Sequence, residues 1–408
     1  MLKNIKNKFP WFKKNPQWVY ADSSATSLKP KCVIDAITNY YECYGTNPHN
    51  NDSPLASHVN QFISETRNKV AKFFGVEEKE IIFTSGATES LNLVIHNLSN
   101  KLKKGDEVVI SYGEHSSNLI PWIDAQNKKG VKLVYAGDEK KHNAPTTEAF
   151  IQAITPKTKV LSFSASSNVF GYNLDIRKIT KAAKKISPNI IVLVDGTQTA
   201  PHHPTNLKLD GVDFFVCSAH KMCGPDGVGV LYGKFEELNK LTPLKIGGGG
   251  VSTVALDGAS YNLAPLPGRL ESGTPNTAGI IGFGAAIDFL NSVGMKNIDT
   301  YEKELKKYFD KRIKEVKNIE YVSQTGLYPV CSFNVRDIIS QDLANYLGRN
   351  KIIARSGLSC AKLSYEITSN KSGYVRVSLY FYNTTKDIDR IISVLKKFKK
   401  SDVVDNIF

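Results

Sequence analysis

The stretch VCSAHKMCGPDGVGVLYG, residues 216–233, places a lysine between two apolar runs. The first run predicts a buried strand, and a glycine-rich turn leads into the second run. A buried cation is costly without a partner, and burial lowers the pKa of a lysine amine. Lys221 is therefore predicted to be an amine nucleophile of the kind that forms a Schiff base. The alternative is an ordinary surface lysine at the end of a strand.

Asp195 follows a strongly apolar strand in the sequence VLVDGTQ. A carboxylate in that position needs a cationic partner, and the protonated ring nitrogen of pyridoxal phosphate is a partner that enzymes commonly pair with aspartate. The alternative is an aspartate that caps the turn after a strand. Because Asp195 and Lys221 follow successive predicted strands, the two together predict a pyridoxal phosphate site.

Three weaker signals accompany this pair. The turn SGATES, residues 85–90, joins a predicted strand to a helix, where backbone N–H groups and the Thr88 hydroxyl form an anion site, although ordinary N-capping uses the same residue types. His115, in GEHSSN, can stack on a planar ring or simply lie in solvent. Cys360 lies near Arg355 in the polar loop ARSGLSCAKL, a setting that favours a thiolate, whereas a lone cysteine is more often a buried apolar residue.

The bulk composition predicts a soluble globular protein. Of 408 residues, 41% are hydrophobic and 23% charged, and the formal net charge of +14 is spread along the chain without a nucleic-acid-binding motif. No apolar run approaches about 18 residues, so no membrane span is expected. Six cysteines without a CxxC pair predict free thiols in a cytoplasmic protein, and no spacing of cysteine and histidine predicts a metal site.

The elements that must position these residues alternate between apolar strands and amphipathic helices. This order predicts an α/β fold with a mostly parallel sheet, whose ligands lie beyond the carboxyl ends of the strands. Further along the chain, a lysine- and glutamate-rich helix and additional strands predict a smaller α+β domain. The predicted division is an N-terminal arm at 1–20, a large cofactor-binding domain at 21–285 and a small domain at 286–408 that carries the Cys360 loop. The glycine-rich residues 247–258 are predicted to form a flexible loop.

Nine motifs, in order along nearly the whole chain, resemble those of the class V aminotransferase superfamily of fold-type I pyridoxal phosphate enzymes. Within that superfamily they resemble the SUF-type, or group II, cysteine desulfurases. The motifs are YADSSATSLKP (20–30), FTSGATESLNLV (83–94), EHSSNLIPW (114–122), SNVFG (167–171), VDGTQ (194–198), SAHKMCGPDGVGVLYG (218–233), ESGTPNTAGIIG (271–282), RSGLSCA (355–361) and VRVSLYFYNT (375–384). Each motif alone is moderately specific, and nine in register are a strong match. The resemblance implies a seven-stranded sheet in the large domain.

The resemblance also implies a role for each matching residue. Lys221 would bind the cofactor covalently and move the substrate's Cα proton, Asp195 would pair with the ring nitrogen, and His115 would stack on the ring and take part in catalysis. The remaining cofactor-binding residues would be Gln198 and Asn168 beside the ring, and Ala87, Thr88, Ser218, His220 and Thr274 at the phosphate. Thr274 would reach the phosphate of a neighbouring subunit, which implies a homodimer.

The substrate implied by the resemblance is L-cysteine. Arg376 would bind its carboxylate, and the further substrate-binding residues would be Arg355, Asn168 and His49. Cys360 would attack the sulfur of the substrate, so that L-alanine leaves and a persulfide stays on the enzyme. The persulfide would supply Fe–S cluster assembly or tRNA thiolation, with a sulfur-acceptor protein of the SufU or SufE type as a candidate partner.

Two positions depart from the family's pattern. The family usually has two histidines directly before the catalytic cysteine, where this chain has Leu358 and Ser359, and the usual His-Arg pair is His49-Asn50 here. Two alternatives therefore stay open. One is a selenocysteine lyase, or another class V aminotransferase or lyase that does not use Cys360. The other is a non-catalytic binding module on the same fold.

Overall fold

The computed structural model of the chain describes residues 4–48, 51–137, 145–323, 326–364, 370 and 372–403. The α-helices are α1 (Pro10–Lys14), α2 (Lys31–Asn39), α3 (Pro54–Phe74), α4 (Ala87–Lys101), α5 (Ser116–Lys129), α6 (Thr147–Ala153), α7 (Ile176–Ile186), α8 (Leu207–Asp210), α9 (Phe235–Leu238), α10 (Thr277–Val293), α11 (Met295–Ile313), α12 (Ser340–Arg349) and α13 (Thr385–Lys397). A π-helical turn at Tyr40–Tyr44 continues α2. The short 3-10 helices are Ile5–Lys8, Glu78–Glu80, Ala219–Lys221, Gly268–Leu270 and Lys400–Asp402. The strands are β1 (Val19–Tyr20), β2 (Ile81–Thr84), β3 (Glu107–Ser111), β4 (Lys132–Ala136), β5 (Thr158–Ser164), β6 (Ile191–Asp195), β7 (Phe214–Ser218), β8 (Gly229–Gly233), β9 (Val251–Val254), β10 (Tyr261–Leu263), β11 (Ile319–Tyr321), β12 (Val330–Val335), β13 (Ile352–Ile353) and β14 (Val375–Ser378).

The large sheet has seven strands in the order β2–β8–β7–β6–β5–β3–β4. Strand β8 runs antiparallel to both of its neighbours, and the other pairings are parallel. The central strands β5, β6 and β7 are almost wholly buried, and the near-continuous apolar sequences of β6 and β7 suit strands that are covered on both faces. The predicted α/β class with a mostly parallel seven-stranded sheet is therefore confirmed.

Successive residues of the central strands enter two different apolar cores, one on each face of the sheet. In β6, Val192 and Val194 pack in one core and Leu193 packs in the other, as the two-residue period of a strand requires. The polar residues that end these strands, Asp195 and Ser218, come at the carboxyl edge of the sheet. This edge is where open α/β sheets bind their ligands.

Helix α10 packs against α2 and α3 and leads directly into the C-terminal part of the chain. A Cβ atom at Gly282 would lie 2.7 Å from the Ile37 side chain, so glycine there lets α2 approach without displacing that side chain. The boundary that the sequence predicted between residues 285 and 286 falls inside this helix. Among the described residues, no single helix has the length and apolar content to span a membrane, and α10 and α11 meet that requirement only as a pair bent by 72°.

The C-terminal part is built on an antiparallel sheet of β11, β12 and β14. Helices α11, α12 and α13 pack with it around a third apolar core, which also takes in Val19 and Ala21. Strand β1 pairs in parallel with β13, and Asp22 bridges to Ser378. The predicted domain limits stay a prediction, and residues on both sides of the limit at residue 20 join this same core.

Residues 247–263 contain a hairpin that the sequence analysis did not predict. Strands β9 and β10 pair in antiparallel fashion, with Asp257 and Gly258 in the connecting turn. The expectation of a flexible loop over residues 247–258 is wrong, because valine and threonine favour a strand directly after the glycine run. Val254, Leu256 and Tyr261 are exposed on this hairpin.

Candidate active site

One pocket at the carboxyl edge of the large sheet collects residues from distant parts of the chain. The predicted residues that line it are Ala87, Thr88, His115, Asn168, Asp195, Gln198, Ser218, His220, Lys221, Arg355, Cys360 and Arg376. Thr274 does not line this pocket, and it lies exposed in a separate depression with Tyr40 and Tyr41. The predicted substrate residue His49 lies outside the described residues.

Lys221 is carried into the pocket by the 3-10 turn that follows β7. Its surroundings remove water from the amine, and this desolvation lowers the pKa of Lys221 to about 8 even though the Asp195 carboxylate acts in the opposite direction. At neutral pH such an amine is unprotonated far more often than that of an ordinary lysine. Lys221 can therefore act as a nucleophile and as a proton acceptor.

Asp195 ends the neighbouring strand β6, and its side chain is buried with 5% of the residue exposed. Its Oδ1 accepts a hydrogen bond from the Thr197 backbone amide at 3.0 Å. The carboxylate raises the pKa of both Lys221 and His115 against the lowering effect of their burial. A cationic ring nitrogen placed beside Asp195 would give this buried carboxylate the partner that its burial demands.

The turn from β2 into α4 provides the start of a fifteen-residue helix at the edge of the pocket. The backbone amide of Ala87 donates to Ser218 Oγ at 2.9 Å, which ties this helix start to the end of β7. A Cβ atom at Gly229 would lie 2.5 Å from the backbone of Gly86, so glycine lets β8 lie directly under the turn. Helix N-termini with nearby hydroxyl groups bind anions such as phosphate.

Two histidines border this anion site, and both are neutral at pH 7. His115 caps α5, where its Nδ1 accepts from the Ser117 amide at 3.2 Å, so the proton of the neutral ring lies on Nε2. Burial is the main cause that lowers the pKa of His115. Burial also lowers the pKa of His220 to about 4, and the neighbouring cation Lys221 adds to this effect. Ser117 completes the border through a 2.7 Å hydrogen bond with the Thr88 hydroxyl.

Four buried polar atoms of pocket-lining residues have no hydrogen-bond partner within the described part of the chain. They are Ser24 Oγ, Thr197 Oγ1, Gln198 Oε1 and Arg376 Nε. Gln198 is otherwise held by its Nε2, which donates to the Ser24 carbonyl at 2.8 Å. Buried polar atoms are nearly always paired in folded proteins, so four in one pocket indicate a polar ligand that binds there.

Two arginines from the C-terminal part converge on Asp22, which the sequence analysis did not single out. Arg376 is 2% exposed, and its Nη2 donates to Asp22 Oδ1 at 2.9 Å while its Nη1 donates to the Asn168 carbonyl at 2.9 Å. The half-exposed Arg355 lies 3.1 Å from Asp22 Oδ2 through both Nε and Nη2. A guanidinium group in this setting suits a carboxylate ligand, because it offers several donors in a fixed plane.

Cys360 is exposed at the mouth of the same pocket, on a loop that two residues of the large-sheet side hold in place. The backbone amide and the hydroxyl of Ser116 donate to the Cys360 carbonyl at 2.8 and 2.7 Å, and Asn168 Nδ2 donates to the Ser359 carbonyl at 2.6 Å. Ser359 and Cys360 have φ values of 49° and 60°, a left-handed conformation that is uncommon outside glycine. The anchoring hydrogen bonds therefore hold the cysteine in a strained backbone.

The two cysteines that flank Lys221 in the sequence have a different character. Cys217 and Cys223 are both buried, and burial raises the pKa of the Cys223 thiol to about 12 and that of Cys217 higher still. Both thiols stay protonated and unreactive at neutral pH. Of the six cysteines, Cys360 is the one that lines the pocket.

Sequence reasoning also missed Glu114, a fully buried carboxylate next to His115. Its oxygens accept hydrogen bonds from Ser111 Oγ at 2.6 Å, Asn118 Nδ2 at 2.8 Å and both the amide and the hydroxyl of Ser164 at 2.7 Å. Burial raises the pKa of Glu114 to about 7 despite these donors. The network fixes the turn that presents His115. Among the described residues, no group of three or more histidine, cysteine or acidic side chains could hold a metal ion.

Comparison with known proteins gives one consistent family. The aminotransferase class-V family matches residues 19–391. A probable cysteine desulfurase of Ureaplasma parvum is 43% identical over 406 residues, which cover 100% of both chains. The apo structure of a cysteine desulfurase from Thermococcus onnurineus superposes with a TM-score of 0.90 at 32% identity, covering 97% of each chain. The cysteine desulfurase CsdA of Escherichia coli gives a TM-score of 0.88 at 29% identity, covering 97% of this chain and 98% of its own.

Proposed function

The chain belongs to the class-V aminotransferase family, and from that premise we propose that it is a pyridoxal phosphate-dependent cysteine desulfurase. It converts L-cysteine to L-alanine and keeps the sulfur as a persulfide on Cys360. The observation that carries the proposal is that Lys221, Asp195, Arg376 and Cys360 line one pocket. These residues come from elements far apart in sequence, and together they supply an amine, an acid, a carboxylate-binding group and a thiol.

The residues of the pocket fit pyridoxal 5′-phosphate. Lys221 would hold it covalently, Asp195 would pair with its ring nitrogen, and the neutral ring of His115 would stack on it. Its phosphate would lie at the start of α4, beside Ser218 and the other residues of the anion site. The unpaired oxygens of Ser24, Thr197 and Gln198 support this fit, because a ring that carries polar substituents would satisfy them. When bound, pyridoxal phosphate supplies an electron sink that weakens the bonds at the substrate's α-carbon.

The chain's own groups would place the substrate and move its protons. Arg376 would bind the α-carboxylate, with its unpaired Nε–H as one free donor. Lys221, with a pKa of about 8, would take the proton from Cα near neutral pH. The low pKa of His220 and of His115 keeps both rings uncharged, so neither histidine adds positive charge beside the substrate.

Cys360 would take the sulfur. Its thiolate attacks the substrate's sulfur, an S–S bond forms between the two sulfur atoms, and the Cβ–S bond of the substrate breaks. The electron pair of that bond stays on the carbon skeleton, which takes up a proton at Cβ, regains one at Cα from Lys221 and leaves as L-alanine. The exposed position of Cys360 supports a second transfer to an acceptor outside the pocket.

The test is incubation of the purified protein with L-cysteine and a thiol reductant. We expect alanine and sulfide in equal amounts. In a separate sample treated with L-cysteine and no reductant, we expect one extra sulfur on the Cys360 peptide by mass spectrometry. Cys360→Ala should abolish sulfide release, whereas Cys32→Ser, at an exposed cysteine outside the pocket, should leave it unchanged. Sulfide release that survives Cys360→Ala would point to a lyase that does not use Cys360. Turnover of L-selenocysteine alone would point to a selenocysteine lyase.

The proposal extends to the assembly and its partners. We infer a homodimer in which Thr274 reaches the phosphate site of the second copy, a cytoplasmic location, and a small acceptor protein of the SufU or SufE type that takes the persulfide to Fe–S cluster assembly or tRNA thiolation. The exposure of Thr274 away from its own chain's pocket supports a role in a neighbouring site. Six free cysteines suit a reducing compartment.

A further inference from the structure

Asp22 is a buried carboxylate that two guanidinium groups share. The residue is 8% exposed, and Arg376 and Arg355 approach its oxygens at 2.9 and 3.1 Å. It does not line the pocket, whereas both arginines do. Asp22 therefore lies behind the two groups that face the substrate. Any effect that it has on the substrate acts through them.

The charges of this cluster do not cancel. Two guanidinium groups carry two positive charges, and Asp22 supplies one negative charge, so a single positive charge remains on the side that faces the pocket. The free Nε–H of Arg376 has no partner among the described residues, and it is buried. Because the Arg376 guanidinium is buried and one of its donors is unpaired, an anionic group that binds there completes its hydrogen bonds.

Asp22 also joins the carboxylate-binding residue to the base of the cysteine loop. The backbones of Arg355 and Arg376 form a two-way bridge, with N–O distances of 3.1 and 2.7 Å. Arg355 stands directly before the segment that leads to Cys360. A shift of the Asp22 carboxylate would therefore move both the group that binds the substrate and the start of the loop that attacks it.

We propose that Asp22 is a positioning residue that sets the charge of the substrate site, so that the site accepts an amino acid with one carboxylate and rejects one with two. The inference rests on the proposed function, because it concerns the same pocket. It assigns two roles to Asp22. Its charge limits how strongly an anion binds, and its position holds Arg376 and Arg355 in the arrangement that sulfur transfer needs.

The test compares Asp22→Asn with the wild type, both loaded with cofactor. Calorimetric titration with L-alanine and L-aspartate measures anion binding without turnover, and L-aspartate carries its second carboxylate where L-cysteine carries its thiol. Loss of the Asp22 charge should tighten L-alanine binding by about threefold and L-aspartate binding by about tenfold. The reason is that Asp22 repels each carboxylate of the bound amino acid, and L-aspartate has two of them. Sulfide release should show a lower KM for L-cysteine and a kcat reduced by about tenfold or more.

Two further variants separate charge from geometry. Asp22→Glu keeps the charge, so the ratio of the two dissociation constants should stay that of the wild type while kcat falls. Arg355→Gln removes one positive charge, so binding of both amino acids should weaken, and that of L-aspartate should weaken more. If Asp22→Asn does not fold, as thermal unfolding would reveal, a changed ratio of the dissociation constants in Asp22→Glu or an unchanged ratio in Arg355→Gln overturns the inference.

Asp213 provides a matched control. It is a buried carboxylate shared by Lys184 and Lys234 at 2.8 and 2.7 Å, and it precedes β7, so it lies roughly 16 Å along the strand from the pocket residue Ser218. Asp213→Asn should lower stability without changing the ratio of the two dissociation constants. The inference is overturned if Asp22→Asn weakens both amino acids equally or leaves their ratio unchanged. Failure of the wild type to release sulfide would instead count against the proposed function, because the titrations do not depend on turnover.

Discussion

At the scale of single residues, the site depends on ionisable groups whose pKa values are moved by burial. Lys221 is shifted to a pKa of about 8, His220 to about 4 and Glu114 to about 7, and removal from water is the largest cause for all three. Such groups lower the stability of a fold while they supply its chemistry. The effect should be measurable in the protein without its cofactor.

Lys221→Met in the cofactor-free protein should raise the free energy of unfolding at pH 7 by up to about 3 kcal/mol, from a pKa that falls from 10.5 to about 8 at 1.36 kcal/mol per unit. Between pH 8 and 10.5 the unfolded lysine holds a proton that the folded lysine has lost, so wild-type stability rises with pH in that window. The gain from Lys221→Met is therefore full below pH 8 and disappears by about pH 10.5. Urea unfolding at several pH values measures it.

The exposed Lys185 on α7 is the control for that measurement. Lys185→Met should leave the free energy of unfolding unchanged, within about 0.5 kcal/mol, at every pH. A gain from Lys221→Met that does not vary between pH 7 and 10.5 would show that shape, and not charge, explains the stabilisation.

The residues that the sequence predicted and those that it missed differ in how far along the chain their contact partners lie. Asp195 and Lys221 follow adjacent buried strands, and strand order alone places them at one edge of the sheet. Asp22 contacts Arg376, which lies 354 positions away in the chain, and no local sequence pattern predicts such a pair. Glu114 was missed because a carboxylate beside a histidine in a turn is typical of a solvated loop, whereas here it is fully buried.

At the scale of elements, the anion site exists because two backbones lie unusually close. Strand β8 runs under the turn from β2 to α4, and Gly229 faces Gly86 and Thr84 at the point of contact. The parallel pairing of the central strands was predictable from apolar runs that alternate with helices. The hairpin of β9 and β10 was not, because glycine next to a strand weakens the signal that the strand residues give.

Gly229→Ala should lower the free energy of unfolding by roughly 1–3 kcal/mol, because the added Cβ would lie 2.5 Å from the backbone of Gly86 and something must move. It should also weaken pyridoxal phosphate binding, since the displaced turn carries the amides of the anion site. Urea unfolding and a fluorescence titration with the cofactor measure the two effects.

Gly348 in α12 is the matched control, because a Cβ atom there meets nothing within 4 Å. Gly348→Ala should leave cofactor binding unchanged and increase stability by roughly 0.5–1 kcal/mol. Equal effects of the two substitutions on cofactor affinity would contradict the assignment of the anion site to the turn from β2 to α4.

At the scale of the whole molecule, the pocket is assembled by two parts of the chain that each have their own core. The large sheet contributes the amine, the acid and the anion site, and the C-terminal part contributes both arginines and the cysteine. Asn168 and Ser116 reach from the first part to the cysteine loop of the second. Sequence patterns could predict each part. The position of one part relative to the other depends on these hydrogen bonds between them, which only the folded chain displays.

The final prediction concerns the interface of the proposed homodimer. Ile34, Tyr41 and Leu55 are large apolar residues that are 41%, 68% and 47% exposed, and Tyr41 lines the depression that contains Thr274. Contiguous exposed apolar surface commonly marks an interface.

Tyr41→Arg should therefore convert the dimer to a 45.1 kDa monomer in sedimentation equilibrium, because a charge would be buried there without a partner. Leu209→Arg, at a leucine on α8 that is 61% exposed, should remain dimeric. Because Thr274 then loses the neighbouring site, the monomer should bind pyridoxal phosphate more weakly. A monomeric wild type, or a dimer that survives Tyr41→Arg, would show that this face is not the dimer interface and that Thr274 takes no part in the neighbouring site.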